Sequence, residues 1–393
     1  MMKETLSISL HFNLLNFFKK KIMKNIYVLL GSIGSLSINA QNKSFALHSA
    51  SNSEIYVNSD ALVSVYGSLT VNDGKVQNNG MVKSQAGSAD DVFTVFNSSD
   101  SKFINTLNQP LNFSLANTIE KGNNYTYGQL YVSGYNQNLI NGKVTQQYRN
   151  VNHGSYQQIG IPFSNKEINS LSTELGKSFS PVRWSQNEIL KYNSGRVVFD
   201  NINFSNLLSD PSGYYILGNK NNSLDVSSLT RNIQGTPYTD GSNMSFVLQN
   251  AGNGVNFGTN GSAVNEYNER YNSYLQDGFE IQQAAGGTAW QGNYGKNIYQ
   301  FSNPFLMNID LRSLFFDDDV YGIRLEQAGG TVNYTTGVGG GAGSFRYVTW
   351  DSENKVPVGD VDWLIIRPLS VFSIKLKSNS PKVVNFNTIR NFS

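Results

Sequence analysis

The sequence has no cysteine, which excludes disulfides, thiol nucleophiles and every cysteine-ligated metal centre. Histidine is almost as scarce, with only His11, His48 and His153. No imidazole cluster can be assembled from these, and His153, in "VNHGSYQ", has no G-x-S-x-G elbow beside it. Charged residues make up 15% of the chain, against roughly 25% in an average soluble protein. The 30 basic and 28 acidic residues leave a net charge of +2, without the basic footprint of a nucleic-acid partner. After residue 40 no run of 18 apolar residues occurs, so a membrane-spanning helix is not expected. Interruption by Gly and Asn also leaves the strands too short and irregular for a lipid-facing barrel.

The chain is instead rich in Gly (36), Phe (23) and Tyr (21), with abundant Asn and Ser. Aromatic and β-branched side chains suit pleated, half-buried strands, and Asn and Gly suit tight turns. The composition predicts an all-β protein. Its first 40 residues stand apart. A basic start, an apolar run over 26–38 and small residues before Gln41 make a secretory signal peptide, with cleavage expected after Ala40. "MKNIYVLL" from Met23 is a complete signal by itself, so residues 1–22 read as an upstream extension of the reading frame. A secreted or extracellular cell-surface location follows, and the absence of cysteine leaves no lipoprotein anchor.

Residues 41–120 carry glycines at 67, 74, 80 and 87 with short alternating apolar stretches between them, such as Val63 and Val65, then Leu69 and Val71. That pitch predicts β-solenoid-like coils, or otherwise a meander of small hairpins. Beyond them, "YQQIGIPFSNKEINSL" (156–171) is nearly repeated by "IYQFSNPFLMNIDLRSL" (298–314), with Pro162 and Pro304 standing 142 residues apart. Each copy is expected to continue into a short helical stretch, a Trp-bearing strand and a closing strand. Residues 121–260 and 261–393 thus read as two tandem β-sandwich-like units. Proline ends a strand because it has no N–H for the ladder. Pro162–Phe163 and Pro304–Phe305 are therefore expected to be structural corners whose rings plug a core.

Little in the sequence carries catalytic chemistry. Asp90-Asp91 and Asp317-Asp318-Asp319 are consecutive carboxylates, which on a strand or loop point different ways and stay solvated. Asp310 with Asp317, Asp318 and Asp319 has the oxygen-rich composition of a calcium site but lacks EF-hand spacing. No catalytic residue and no other cofactor is expected. "GVGGGAG" (337–343) lacks the βαβ frame of a dinucleotide site and reads as a hairpin tip. Tyr125, Tyr127 and Tyr131 are aromatic, but the densest such region is 265–295, where Tyr267, Tyr271, Tyr274, Trp290 and Tyr294 are the candidate ligand-binding residues.

The run "GSLTVNDGKVQNNGMV", "QIGIPFS", "GYYILGN", "FSNPFLMNIDL" and "SVFSIKL" resembles a pattern in Bacteroidota surface proteins that are cargo of the type IX secretion system. Gly160–Ile161–Pro162–Phe163 and Asn303–Pro304–Phe305 match the turn found in each half of such proteins, while Ser370 stands where a Gln is usual. The resemblance implies the outer-membrane export machinery as a partner. The usual C-terminal sorting domain is not evident in the sequence. The expected function is a non-enzymatic secreted or cell-surface protein, adhesin-like or surface-structural, meeting a surface glycan or another surface protein. The alternative is a carbohydrate-binding protein that uses the aromatic loop around 265–295. Mass spectrometry of the exported chain is expected to find Gln41 at its N-terminus; a retained residue 23–40 segment would refute the signal-peptide reading.

Overall fold

The structure is a computed structural model that describes residues 53–72, 74–96, 102–108, 126–148, 156–202, 208–224, 230–240, 244–271, 295–314, 319–326, 345–351, 354, 356–359 and 364–391, together with Glu4–Leu6 and Ile38–Ala40. It is all-β. One α-helix of five residues, Ser170–Glu174, and several 3-10 turns are the helical elements among the described residues. Glu4–Leu6 pairs antiparallel with Ile38–Ala40 as a sheet of its own.

The first part of the chain winds through three faces in the same order, three times over. Glu54–Val57, Lys75–Asn78, Phe103–Asn105 and Val144–Tyr148 lie side by side on one face. Leu62–Tyr66, Met81–Gln85 and Gln129–Ser133 make the second, and Leu69–Val71, Phe93–Val95 and Ile140–Gly142 the third. Every one of these pairings is parallel, so each residue stacks on its counterpart one coil away. Leu69, Phe93 and Ile140 form such an inward stack, as do Val76 and Phe103, all of them buried. Phe93 meets Phe103 at 6.4 Å and Tyr135 edge-on at 6.2 Å.

A polar row runs through the same interior. Asn78, Asn105 and Gln146 occupy equivalent positions on the first face and have no solvent exposure. The Asn78 amide donates to Asn105 Oδ1 at 2.8 Å, and Asn105 donates to Gln146 Oε1 at 3.3 Å. Asn78 Nδ2 also bonds the Gln129 carbonyl, and its Oδ1 accepts from the Gly80 N–H. A one-residue slip would turn these amides out of the interior and a two-residue slip would set them against Val76 and Phe103, so the ladder fixes the coil register.

Pairing crosses both boundaries expected from the sequence. Gln129–Ser133, Ile140–Gly142 and Val144–Tyr148, read as the start of a sandwich unit after residue 120, are strands of the coil. Their aromatic texture had suggested a new domain, but parallel stacking buries their inward side chains as it does those of the earlier coils. Likewise Ser245–Leu248, placed before residue 260, pairs with Lys382–Asn385 near the C-terminus. A further strand, Arg231–Pro237, adds antiparallel to the coil's last strand and joins the following sheet to the coil's core.

Two sheets of matching topology follow. In the first, Tyr156–Ile159 pairs with Tyr215–Gly218, then Ile189–Asn193, then Val198–Asn201. In the second, Ile298–Ser302 pairs with Val371–Leu376, then Val320–Glu326, then Phe345–Asp351, with Val356–Gly359 added at the edge. The registers correspond: Gln157–Leu217–Ile189 is one row and Tyr299–Ile374–Ile323 its counterpart. The internal repeat is therefore a repeat of strand order as well as of sequence. One element differs from expectation. Trp184 lies in a bend rather than a strand, 63% exposed and with φ +64°. Trp350 does lie in the Phe345–Asp351 strand.

The Pro-Phe elements sit where the two sheets meet. Phe163 is fully buried and Phe305 is 3% exposed. Phe163 packs so closely on Gly235 that a Cβ there would lie 2.4 Å from the Phe163 Cβ. Just before the prolines, Gly160 N–H donates to the Leu369 carbonyl at 2.8 Å, and Ser302 N–H donates to the Ser212 carbonyl at 3.0 Å. These are counterparts. Ser212 and Leu369 each follow a proline, Pro211 and Pro368, in a tight turn closed by Gly213 N–H to Asp210 O and by Ser370 N–H to Arg367 O. Each has a positive φ, +58° and +65°, which costs a non-glycine residue on the order of 1 kcal/mol. Each repeat thus inserts a strained turn against the other's corner.

Gly160 has no room for a side chain: a Cβ would stand 2.3 Å from Ser302 Cβ. Gly160→Ala is expected to lower the unfolding free energy by about 1–3 kcal/mol in urea titration, and Ser302→Gly is expected to recover part of that loss. Strict additivity of the two changes would show that the corners do not touch.

Candidate functional site

The bend that carries Trp184 is built around one carboxylate. Glu188, 1% exposed, opens the Ile189–Asn193 strand's approach and accepts four hydrogen bonds. Its Oε1 accepts from the Trp184 N–H at 3.0 Å and the Tyr156 hydroxyl at 2.8 Å. Its Oε2 accepts from Ser185 Oγ at 2.9 Å and the Asn187 N–H at 3.0 Å. This curls the backbone so tightly that both Trp184 and Gln186 take positive φ, +64° and +57°. Burial, and after it the bond to Glu188, pushes the Tyr156 hydroxyl well above the ordinary tyrosine range. It therefore stays a donor through neutral and mildly alkaline pH.

A second loop holds the indole from outside. Asn265 Oδ1 accepts from the N–H groups of Tyr267 and Glu269, at 2.9 and 3.1 Å, an Asx-type lock on the turn. Glu269 then accepts the Trp184 indole N–H at 2.9 Å and two bonds from the Arg183 guanidinium, at 3.2 and 2.6 Å. Arg183 also donates to the Phe199 carbonyl at 2.7 Å and lies 3.6 Å from the centre of the Tyr267 ring. The Tyr267 hydroxyl donates to Asp200 at 3.1 Å. Arg196 closes the rim, paired with both Asp200 and Glu266. The outcome is a rigid ledge with Trp184 and Val182, each 63% exposed, projecting from it.

The sequence-based candidates are distributed differently. Tyr267 belongs to this ledge, but its ring is covered by Arg183. Tyr271 is a core residue, 6% exposed and set edge-on against Phe257 at 5.0 Å. Tyr274, Trp290 and Tyr294 lie outside the described residues, as do Asp317, Asp318, His48, His153 and the segment 337–343. Asp310 is held by Arg312 at 2.6 Å, and Asp319 by Lys382 at 3.2 Å. Each already has a cation for a partner, and no group of three or more His, Asp or Glu suited to a metal is found among the described residues. Asp91 is not solvated as expected. It is 5% exposed and accepts from Gly87 N–H and Ser88 N–H, both at 2.8 Å, and from Ser68 Oγ at 2.9 Å. Burial works against its charge, yet these bonds hold its carboxyl below the usual carboxylate value. It is a turn lock of the coil.

Trp184 and Glu188 were not among the sequence candidates. The signal that could have found them is the short polar string "WSQNE", which interrupts apolar alternation just before a strand. Glu188→Gln places an NH₂ opposite two donors and is expected to cost about 2 kcal/mol of stability in urea titration. An unchanged midpoint would show that the carboxylate does not hold the bend. No family model, no curated protein and no solved structure matches this chain.

Proposed function

We propose that this is a non-enzymatic secreted or cell-surface β-protein of the adhesin-like kind, which meets its target through the Trp184 ledge. The observation that carries this reading is the combination at one loop of a 63%-exposed tryptophan and a 1%-exposed carboxylate pinning the backbone beneath it. A large apolar ring held in water adds little to folding, while the positive φ values and the buried charge both cost stability. An arrangement that costs stability and presents a fixed surface serves contact with something else. The two carboxylates that hold Trp184 are occupied by donors, Glu188 with four and Glu269 with Arg183, Trp184 and Asn265. A group so occupied suits positioning better than proton transfer.

The leader-like N-terminus and the resemblance to type IX cargo supply the address, with the outer-membrane export machinery as the transient partner. The all-β architecture, without a disulfide, derives its rigidity from stacked strands and aromatic packing, which suits a scaffold outside the cell. Brief protease treatment of intact cells is expected to remove the protein while cytoplasmic markers survive. Purified mature protein is expected to bind those cells, and Trp184→Ala to reduce that binding. Protection from protease, or binding indifferent to Trp184, would overturn the reading.

A further inference from the structure

We infer that the Trp184 ledge takes the apolar face of an uncharged sugar ring, so that the target of the protein is a neutral glycan. This rests on the contact role proposed for the same ledge and narrows it to a ligand class. Three features of the geometry select that class.

The indole N–H of Trp184 is already committed to Glu269 at 2.9 Å. What the exposed side chain has left to offer is its π surface, which attracts polarised C–H groups or cations. A cation would need a cage of several aromatic faces to replace its hydration. Among the described residues one ring of the ledge is open, because the neighbouring Tyr267 is covered by the Arg183 guanidinium at 3.6 Å. One open ring matches a pyranose, whose axial C–H groups form a single flat apolar face.

The charge around the ring argues against an acidic sugar. The hydrogen-bonded network of the ledge contains four carboxylates, Glu188, Asp200, Glu266 and Glu269, and two guanidiniums, Arg183 and Arg196. Both guanidiniums are engaged by these carboxylates, and counting Arg270 beside Glu269 the described ledge still sets four carboxylates against three cations, so a sialic acid or uronate would bring a further negative charge to it.

The rim also suits hydroxyl groups. The exposed Gln186 follows Trp184 by two residues on the same locked bend, and Glu266 with Arg196 presents a half-exposed, planar carboxylate–guanidinium pair from the adjoining loop. Planar polar groups beside one aromatic face can bond ring hydroxyls while the ring stacks. Because the bend is locked by Glu188, little ordering remains to oppose binding.

The test uses full-length mature protein on an array carrying uncharged, sialylated and sulfated oligosaccharides, with phosphocholine included. Binding is expected on uncharged glycans, weakened about tenfold or more in Trp184→Ala, the loss of one stacked ring. Trp184→Phe keeps a ring and is expected to retain part of it; circular dichroism and thermal midpoint establish that each variant is folded. Binding confined to acidic glycans or to phosphocholine would overturn the neutral-sugar assignment. So would Trp184-dependent binding to cells whose surface glycans contribute nothing, which would leave the contact role intact. If no Trp184 variant alters binding to glycans or to cells, both the ledge and the ligand class fall.

Discussion

The reciprocal exchange of two backbone hydrogen bonds between the repeats sets the geometry on which the rest of the molecule depends. Gly160 reaches the turn at Leu369, and Ser302 reaches the turn at Ser212. Neither turn is comfortable, since each holds a non-glycine residue at positive φ. Each is kept there because its carbonyl is the acceptor the opposite corner needs. A bond of this kind is worth only about 1 kcal/mol net, but losing one would leave a buried donor, an open carbonyl and an unneeded strain together. Position therefore follows from mutual requirement more than from the strength of either bond. Around this junction Leu190, Tyr192, Phe199, Phe257, Ile298 and Val371 form a shared apolar cluster, so the two sheets are packed as one body there.

The coil contributes a different kind of order. Its parallel faces stack like residue on like residue, and the interior is divided between an apolar column and a fully buried amide row. The apolar column supplies most of the driving force but tolerates sliding, because one valine replaces another with little loss. The amide row tolerates none. Arg231–Pro237 then extends the coil's first face into the region of the repeats, so register set in the coil carries forward to the Pro162 corner through the pairing of Phe163 with Pro237.

The sequence made the strand content and the twin Pro-Phe corners legible, because composition and proline both act locally. It did not reveal the second half of the junction, although "DPSGYY" and "RPLSVF" each place a proline at the second position of a four-residue turn. Ser212 and Leu369 are poor candidates for positive φ on their own preferences, and only the partner repeat makes the conformation worthwhile. Asparagine is usually a turn residue, and nothing local marks Asn78 and Asn105 as exceptions. Buried at inward positions of parallel strands, they satisfy each other instead. The parallel between the repeats places Trp184 in a strand like Trp350, and the Glu188 hydrogen bonds hold it in a turn instead. Tyr271 failed as a surface residue for the opposite reason: Phe257, distant from any local pattern, covers it.

The coil's connections vary greatly in length while its faces do not. Passing from the first face to the second takes the chain from Asn78 to Met81 in one coil and from Asn105 to Gln129 in the next, yet Met81 and Gln129 sit in register. Corners of this kind are places where evolution can insert polypeptide, provided the residues flanking each strand keep contacts such as the Gly80 N–H bond to Asn78 Oδ1. Diversity can accumulate on the rim of the spiral, whereas the last coil is held in place by its bonds to the paired repeats, from Leu130 N–H to the Leu306 carbonyl and from Asn308 N–H to Gln129 Oε1.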